Sequence, residues 1–247
     1  RTIGAHTAGE PFRVIVGGVP EPRGETILDR RRWAREHLEH VRRGLMWEPR
    51  GHADMYGAIV TPPVSEGADL GVLFLHNEGY STMCGHGVIA IAKVAIDTGM
   101  VPAREPETVL GIDTPAGLVV ARARVERGEA HEVAFRNVAS FAAELDCAVD
   151  VPEVGFVSYD LAYGGAYYAV VDAEEVGVRC VTSEVGSLID VGRAIKRAIS
   201  TSRTIEHPGG GDLGFLYGVI FVEPAPTAGV HSRNVCVFAD GEVDRCP

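Results

Sequence analysis

The chain has no Cys-x-x-Cys pair. Its five cysteines, Cys84, Cys147, Cys180, Cys236 and Cys246, are odd in number and irregularly spaced. That argues against a disulfide framework and against the usual spacing of structural zinc ligands, and makes a reduced, cytoplasmic setting the expectation. Positive charge is in deficit: 23 Lys and Arg against 34 Asp and Glu leave a net charge of −11. Non-specific binding to nucleic acid or to an anionic membrane surface is therefore not expected. Long apolar runs are missing too. The best candidate, "GVIAIAKVAIDTGM", is broken by Lys93 and Asp97 and is too short for a span. The first residues, "RTIGAHTAGEP", contain no apolar signal-peptide region, and no short-period repeat is visible. What remains is an ordinary globular composition, 46% hydrophobic and 23% charged over 247 residues, enough for one large domain or two small ones. The 30 glycines and 14 prolines are spread along the chain, which points to many short strands and turns.

"FRVIVGG", from Phe12 to Gly18, reads as a strand closing on a glycine turn. In "ETILDRRRWAREHLEHVRRGLM" the residues Leu28, Ala34, Leu38, Val41 and Leu45 keep roughly helical spacing, which predicts one amphipathic surface helix ending at Gly44. The basic run Arg30 to Arg32 reads as its solvated face. "MYGAIVTPP" and "LGVLFLHNEG" read as apolar strands. Residues 88–96 are apolar almost all round, so a helix buried on most sides is expected there, ending near Gly99. From Thr108 to Ala173 the pattern is β. A second amphipathic helix carries Leu188, Val191, Ala194, Ile195 and Ala198, and the strands "FLYGVIFVE" and "NVCVFAD" follow. No composition shift marks a boundary sharply; the division is expected near residue 120.

The stretch "LHNEGYSTMCGHGVIAIA" places one thiol, Cys84, where a polar loop runs into the buried helix. A helix start presents unpaired N–H groups and partial positive charge, which favour a thiolate. Gly85 and Gly87 let the backbone approach a ligand closely. The same N–H groups can hold a carboxylate, and His86 can orient it or donate to it. By periodicity alone, a buried and inert cysteine explains the pattern equally well.

The segment "EGYSTMCGHGVIAIAKVAIDTG" resembles the Met-Cys-Gly-His signature of the proline racemase family. In the same order, "HTAGEPFRVIVGG", "RRGLMWEPRGHADMYGAIV", "YDLAYGGAYYAVVDA" and "NVCVFADGEVDR" are similar to other blocks of that family, so the resemblance spans nearly all of the chain. It implies an α/β fold of the diaminopimelate-epimerase type: two similar lobes, each a β shell around a central helix. Residues 1–120 would form the lobe carrying Cys84 and residues 121–247 a second lobe, incomplete at its C-terminal side. It also implies chemistry without a cofactor or metal. One residue from each lobe faces the Cα of a proline or hydroxyproline substrate, with Cys84 as a base, Gly85 and His86 binding substrate, and Asp244 binding its nitrogen. Members of the family are often dimers, so a homodimer is an expectation.

The family's second motif continues beyond "Asp244-Arg245-Cys246-Pro247", with Cys246 at a position that is usually Ser. The residue that separates the reactions would follow Pro247, and part of the second lobe is expected beyond it. With Cys there, the chemistry is that of a proline racemase or 4-hydroxyproline 2-epimerase. With Thr, it is dehydration of trans-3-hydroxy-L-proline to pyrroline-2-carboxylate. "LGVLFLHNEGYSTMCGH", "HLEHVRRGLMWEPRGHADMYGA" and "HPGGGDLGFLYGVIF" are more similar to the dehydratase branch, which is the expectation. Two other classes are compatible with a lone cysteine. A Cys-His hydrolase would need a histidine brought in by the fold, with His6, His52, His76 and His207 available. A non-catalytic scaffold of the same fold would leave Cys84-Gly85-His86 without a purpose.

Overall fold

The computed structural model describes residues 1–244. Cys246, with Arg245 and Pro247, lies outside the described residues. Two compact units divide between Val138 and Ala139.

The first unit is a seven-stranded sheet whose strands follow chain order: β1 Thr2–Thr7, β2 Glu10–Ile15, β3 Tyr56–Thr61, β4 Leu70–His76, β5 Glu107–Thr114, β6 Gly117–Glu126 and β7 Glu129–Arg136. Neighbours are antiparallel except at two places, β2 with β3 and β4 with β5. A parallel junction needs a crossover, and the helices stand at those two places. Helices α1 (Ile27–His37) and α2 (Glu39–Met46) join β2 to β3, and α3 (Gly85–Asp97) joins β4 to β5.

The helices cover opposite faces of the sheet. Ile15, Ile59, Leu73 and Leu75 form one core with Ile27, Ala34, Leu38 and Met46 of the α1–α2 layer. Phe12 and Phe74 point the other way and close on Gly87 of α3. Coverage on both sides explains why every residue of β4 is buried and why its sequence is a continuous apolar run rather than an alternation. Where only one face is covered, as along β6, burial alternates.

The helix expected after Cys84 runs to Asp97 with Thr98 as its cap, and Gly99 follows at φ +73°, the left-handed conformation that ends helices. The expected first helix is corrected. It is two helices broken at Leu38, and it runs through Gly44 to Met46, because Met46 is fully buried in the core. Its inward stripe is Ile27, Arg31, Ala34, Leu38, Arg42 and Met46 rather than the one led by Leu28. Arg31 is therefore buried, and only part of the basic run is solvated. The expected boundary near residue 120 also moves, because β6 and β7 pair in register onto β5 and belong to the first sheet.

The second unit is a six-stranded sheet in the order β13-β12-β11-β10-β9-β8. Its strands are β8 Phe141–Val151, β9 Gly155–Tyr163, β10 Tyr167–Asp172, β11 Leu216–Pro224, β12 Ser232–Phe238 and β13 Glu242–Val243. Among the described residues its one parallel junction, β10 with β11, is again bridged by a helix, α4 (Val185–Ser202). Leu188, Gly192, Ile195 and Ile199 face the sheet. Gly192 is needed there, since a Cβ would stand 2.9 Å from the Val237 Cβ. Among the described residues no helix is long and apolar enough to cross a membrane.

Candidate active site

Cys84 is the N-cap of α3. Its backbone is extended, at φ −151° and ψ 112°, and the Gly87 N–H donates to Sγ at 3.4 Å. The thiol thus takes the place that a serine or aspartate oxygen usually fills at a helix start. The side chain is 8% exposed. A negative charge on the sulfur would meet the N–H groups of the first turn and the positive end of the helix. The expected loop-to-helix junction is therefore present, with Gly85 and His86 as the first two helical residues.

His86 folds back over the sulfur, its ring nitrogens 3.4 and 3.7 Å from Sγ. A sulfur in line with one ring nitrogen would be much farther from the other, so Sγ lies off the in-plane axis of both. The ring is edge-on to Phe12 and Tyr56, with centroids 5.7 and 5.2 Å away. Burial pushes its pKa down to about 4. Beside the neutral thiol the imidazole is therefore uncharged at pH 7.

A pH dependence follows. The unfolded chain takes up a proton on this histidine near pH 6.5, whereas the folded chain does so only near pH 4. Between those values the unfolded state binds more protons, so stability falls as pH drops from 6.5 toward 4. The His86 share reaches about 3 kcal/mol at the acid end. Urea unfolding of wild type and His86→Gln across this window checks it, and the variant is expected to lose less stability on acidification.

The other described cysteines cap no helix: Cys147 lies in β8 and Cys236 in β12, and Cys180 precedes α4. Burial pushes the thiols of Cys147, Cys180 and Cys236 up, Cys180 to about 11, with the nearby carboxylates of Glu144, Glu223 and Asp244 adding to the effect. Asp244 belongs to the second unit. It follows β13, and its N–H donates to the Cys236 carbonyl at 3.1 Å. The structure thus gathers Cys84, Gly85 and His86 at one helix start and places Asp244 on the other unit.

Sequence reasoning missed three side chains around Cys84. Arg31 and Arg42 reach the loop before it, and Tyr56 donates its hydroxyl proton to Ser81 Oγ. A signal for the arginines was present. The spacing 27-31-34-38-42 places both in the middle of the inward stripe of α1 and α2.

The family model described as proline racemase matches residues 2–247. The chain belongs to the proline racemase family. Among relatives, a trans-L-3-hydroxyproline dehydratase of Xenopus tropicalis is 45% identical over 252 residues, covering 99% of this chain and 71% of the relative. A trans-3-hydroxy-L-proline dehydratase of Colwellia psychrerythraea is 46% identical over 246 residues, covering 100% and 69%. Among solved structures, a hydroxyproline epimerase from Agrobacterium vitis with bound trans-4-hydroxy-L-proline superposes with a TM-score of 0.92. It is 29% identical, covering 99% of this chain and 71% of that one. The α/β fold that the resemblance implies is the one observed: the chain is mixed α/β, with two sheets, and matches a solved member of this family.

Proposed function

We propose that this family member is a cofactor-independent hydro-lyase that converts trans-3-hydroxy-L-proline to pyrroline-2-carboxylate and water. The Cys84 thiolate removes the Cα proton. The electron pair left on Cα forms the double bond to C3 as the C3–O bond breaks; the leaving hydroxide takes a proton from solvent to become water, the Cys84 thiol returns its proton to solvent, and the enamine tautomerises to the cyclic imine. The N–H groups of Gly85 and His86 hold the substrate carboxylate, where the partial positive charge of α3 stabilises the charge that develops. The neutral His86 ring is a donor beside it, and Asp244 binds the ring nitrogen. The observation that carries this reading is the thiol of Cys84 capping a buried helix. The dehydratase names of relatives at 45% and 46% identity support the choice of reaction.

The epimerase with bound trans-4-hydroxy-L-proline supports a second reading, proton exchange at Cα by two cysteines. Incubating the purified protein with trans-3-hydroxy-L-proline and o-aminobenzaldehyde separates the two. Imine colour is the expected result. Cα deuteration of L-proline or trans-4-hydroxy-L-proline in D2O, with inversion and without imine, would favour the epimerase instead.

A further inference from the structure

The β4–α3 loop, residues 77–84, has no regular secondary structure, yet it has to present Cys84 to the first turn of α3. Its carbonyl groups are turned toward buried cations. Arg31 of α1 donates both Nε–H and Nη2–H to the Tyr80 carbonyl, at 3.1 and 2.6 Å. Arg42 of α2 donates Nη1–H to the His76 carbonyl at 2.9 Å and to the Asn77 carbonyl, while its other arm is held by Glu39. The two arginines are 4% and 6% exposed. Asn77 ties the loop back further, donating Nδ2–H to the carbonyls of Met46 and His52.

Hydrogen bonds from a buried guanidinium are shorter and stiffer than neutral ones. A trans peptide is planar, so fixing a carbonyl also fixes the N–H that follows it, on the opposite side. The grips on His76, Asn77 and Tyr80 therefore set three peptide planes of the approach to Cys84. Only Ser81, Thr82 and Met83 stand between the last of them and the thiol. Two of these are themselves anchored, Ser81 by the Tyr56 hydroxyl and Thr82 by the Ala116 N–H at 3.1 Å from its carbonyl.

We propose that Arg31 and Arg42 are positioning residues for Cys84, holding the loop so that the sulfur meets the N–H groups of α3. This rests on Cys84 being the reactive group, as in the function proposed above, and not on which proline derivative it acts upon. The arginines touch neither the sulfur nor the reacting atoms; they act through the loop backbone.

The test is the pH dependence of Cys84 carbamidomethylation by iodoacetamide, read by peptide mass spectrometry. It is run on wild type, Arg31→Met, Arg42→Met, Arg31→Lys, Arg42→Lys and, as a control, the exposed Arg32→Ala. The Met variants are expected to slow the reaction of Cys84 at neutral pH by roughly ten- to a hundredfold and to move its pH profile toward higher pH. In turnover, kcat is expected to fall more than KM rises. Lys keeps the charge but not the two-pronged grip, and is expected to restore part of the rate. Arg32→Ala is expected to match wild type. Should a Met variant not fold, the Lys variants carry the test, with a smaller slowing of the same kind. A wild-type rate and pH profile in folded variants, with only the melting temperature lowered, would overturn the proposal. If Cys84 of the wild type reacts no faster than the other cysteines, the active-site reading fails and takes this one with it.

Discussion

Cys84→Ser is expected to lower the rate of imine formation from trans-3-hydroxy-L-proline by at least about a thousandfold, in the range that loss of a positioned general base produces. A helix N-terminus stabilises a negative charge by about 0.3–1 kcal/mol, up to about 2 in partly buried sites. That is little more than one pKa unit. It is enough to help a thiol ionise at neutral pH and far too little to ionise an alcohol. The fold, by contrast, has no reason to suffer. Serine is a preferred N-cap, and its hydroxyl can accept from the Gly87 N–H that now meets sulfur. The variant should melt at or above the wild-type temperature while turning over almost nothing. A melting curve beside the imine assay reads both, and a serine variant that keeps a tenth of the activity would contradict the assignment.

Gly87→Ala is expected to damage stability and activity together. In an open helix this change is favourable by about 1 kcal/mol. Here the added Cβ would stand 2.8 and 2.9 Å from two Phe12 ring atoms and 2.9 Å from one of Phe74. Those rings are 1% and 0% exposed, packed between sheet and helix with nowhere to move. Overpacking of this kind costs about 1–3 kcal/mol; three ring atoms closer than 3.0 Å put this site at the upper end of that range, above the propensity gain. Helix α3 has to shift, and the Gly87 N–H that meets Sγ shifts with it. At about 2–4 °C per kcal/mol for a chain of this size, a clear fall in melting temperature is expected, with activity reduced more than tenfold. An unchanged melting temperature would mean that α3 is not wedged against the sheet as described.

Helix α3 was legible because its sequence is apolar on nearly every face and a glycine follows where the helix must stop. The pairing of α3 with Cys84 was equally local. The α1–α2 layer was read less well. Counting apolar residues led to Leu28, whereas the stripe that faces the sheet includes two arginines, and a rule that scores apolar residues cannot see a buried charge satisfied by loop carbonyls. The boundary at Val138 was missed for a different reason. The membership of β6 and β7 is settled by cross-strand pairing with β5, and nothing in their composition sets them apart from the strands of the second unit. Asp244 illustrates the limit for the site: it is distant in the chain from Cys84, and only the family motif named it.

The most direct measurement is inactivation by iodoacetamide with each modified cysteine mapped and counted over time. Activity should disappear in proportion to carbamidomethylation of Cys84, one equivalent sufficing. Pyrrole-2-carboxylate, a planar mimic of the carbanion, should slow both together, while Cys147, Cys180 and Cys236 react later or not at all. Full modification of Cys84 with turnover intact, or inactivation that follows another cysteine, would contradict the account.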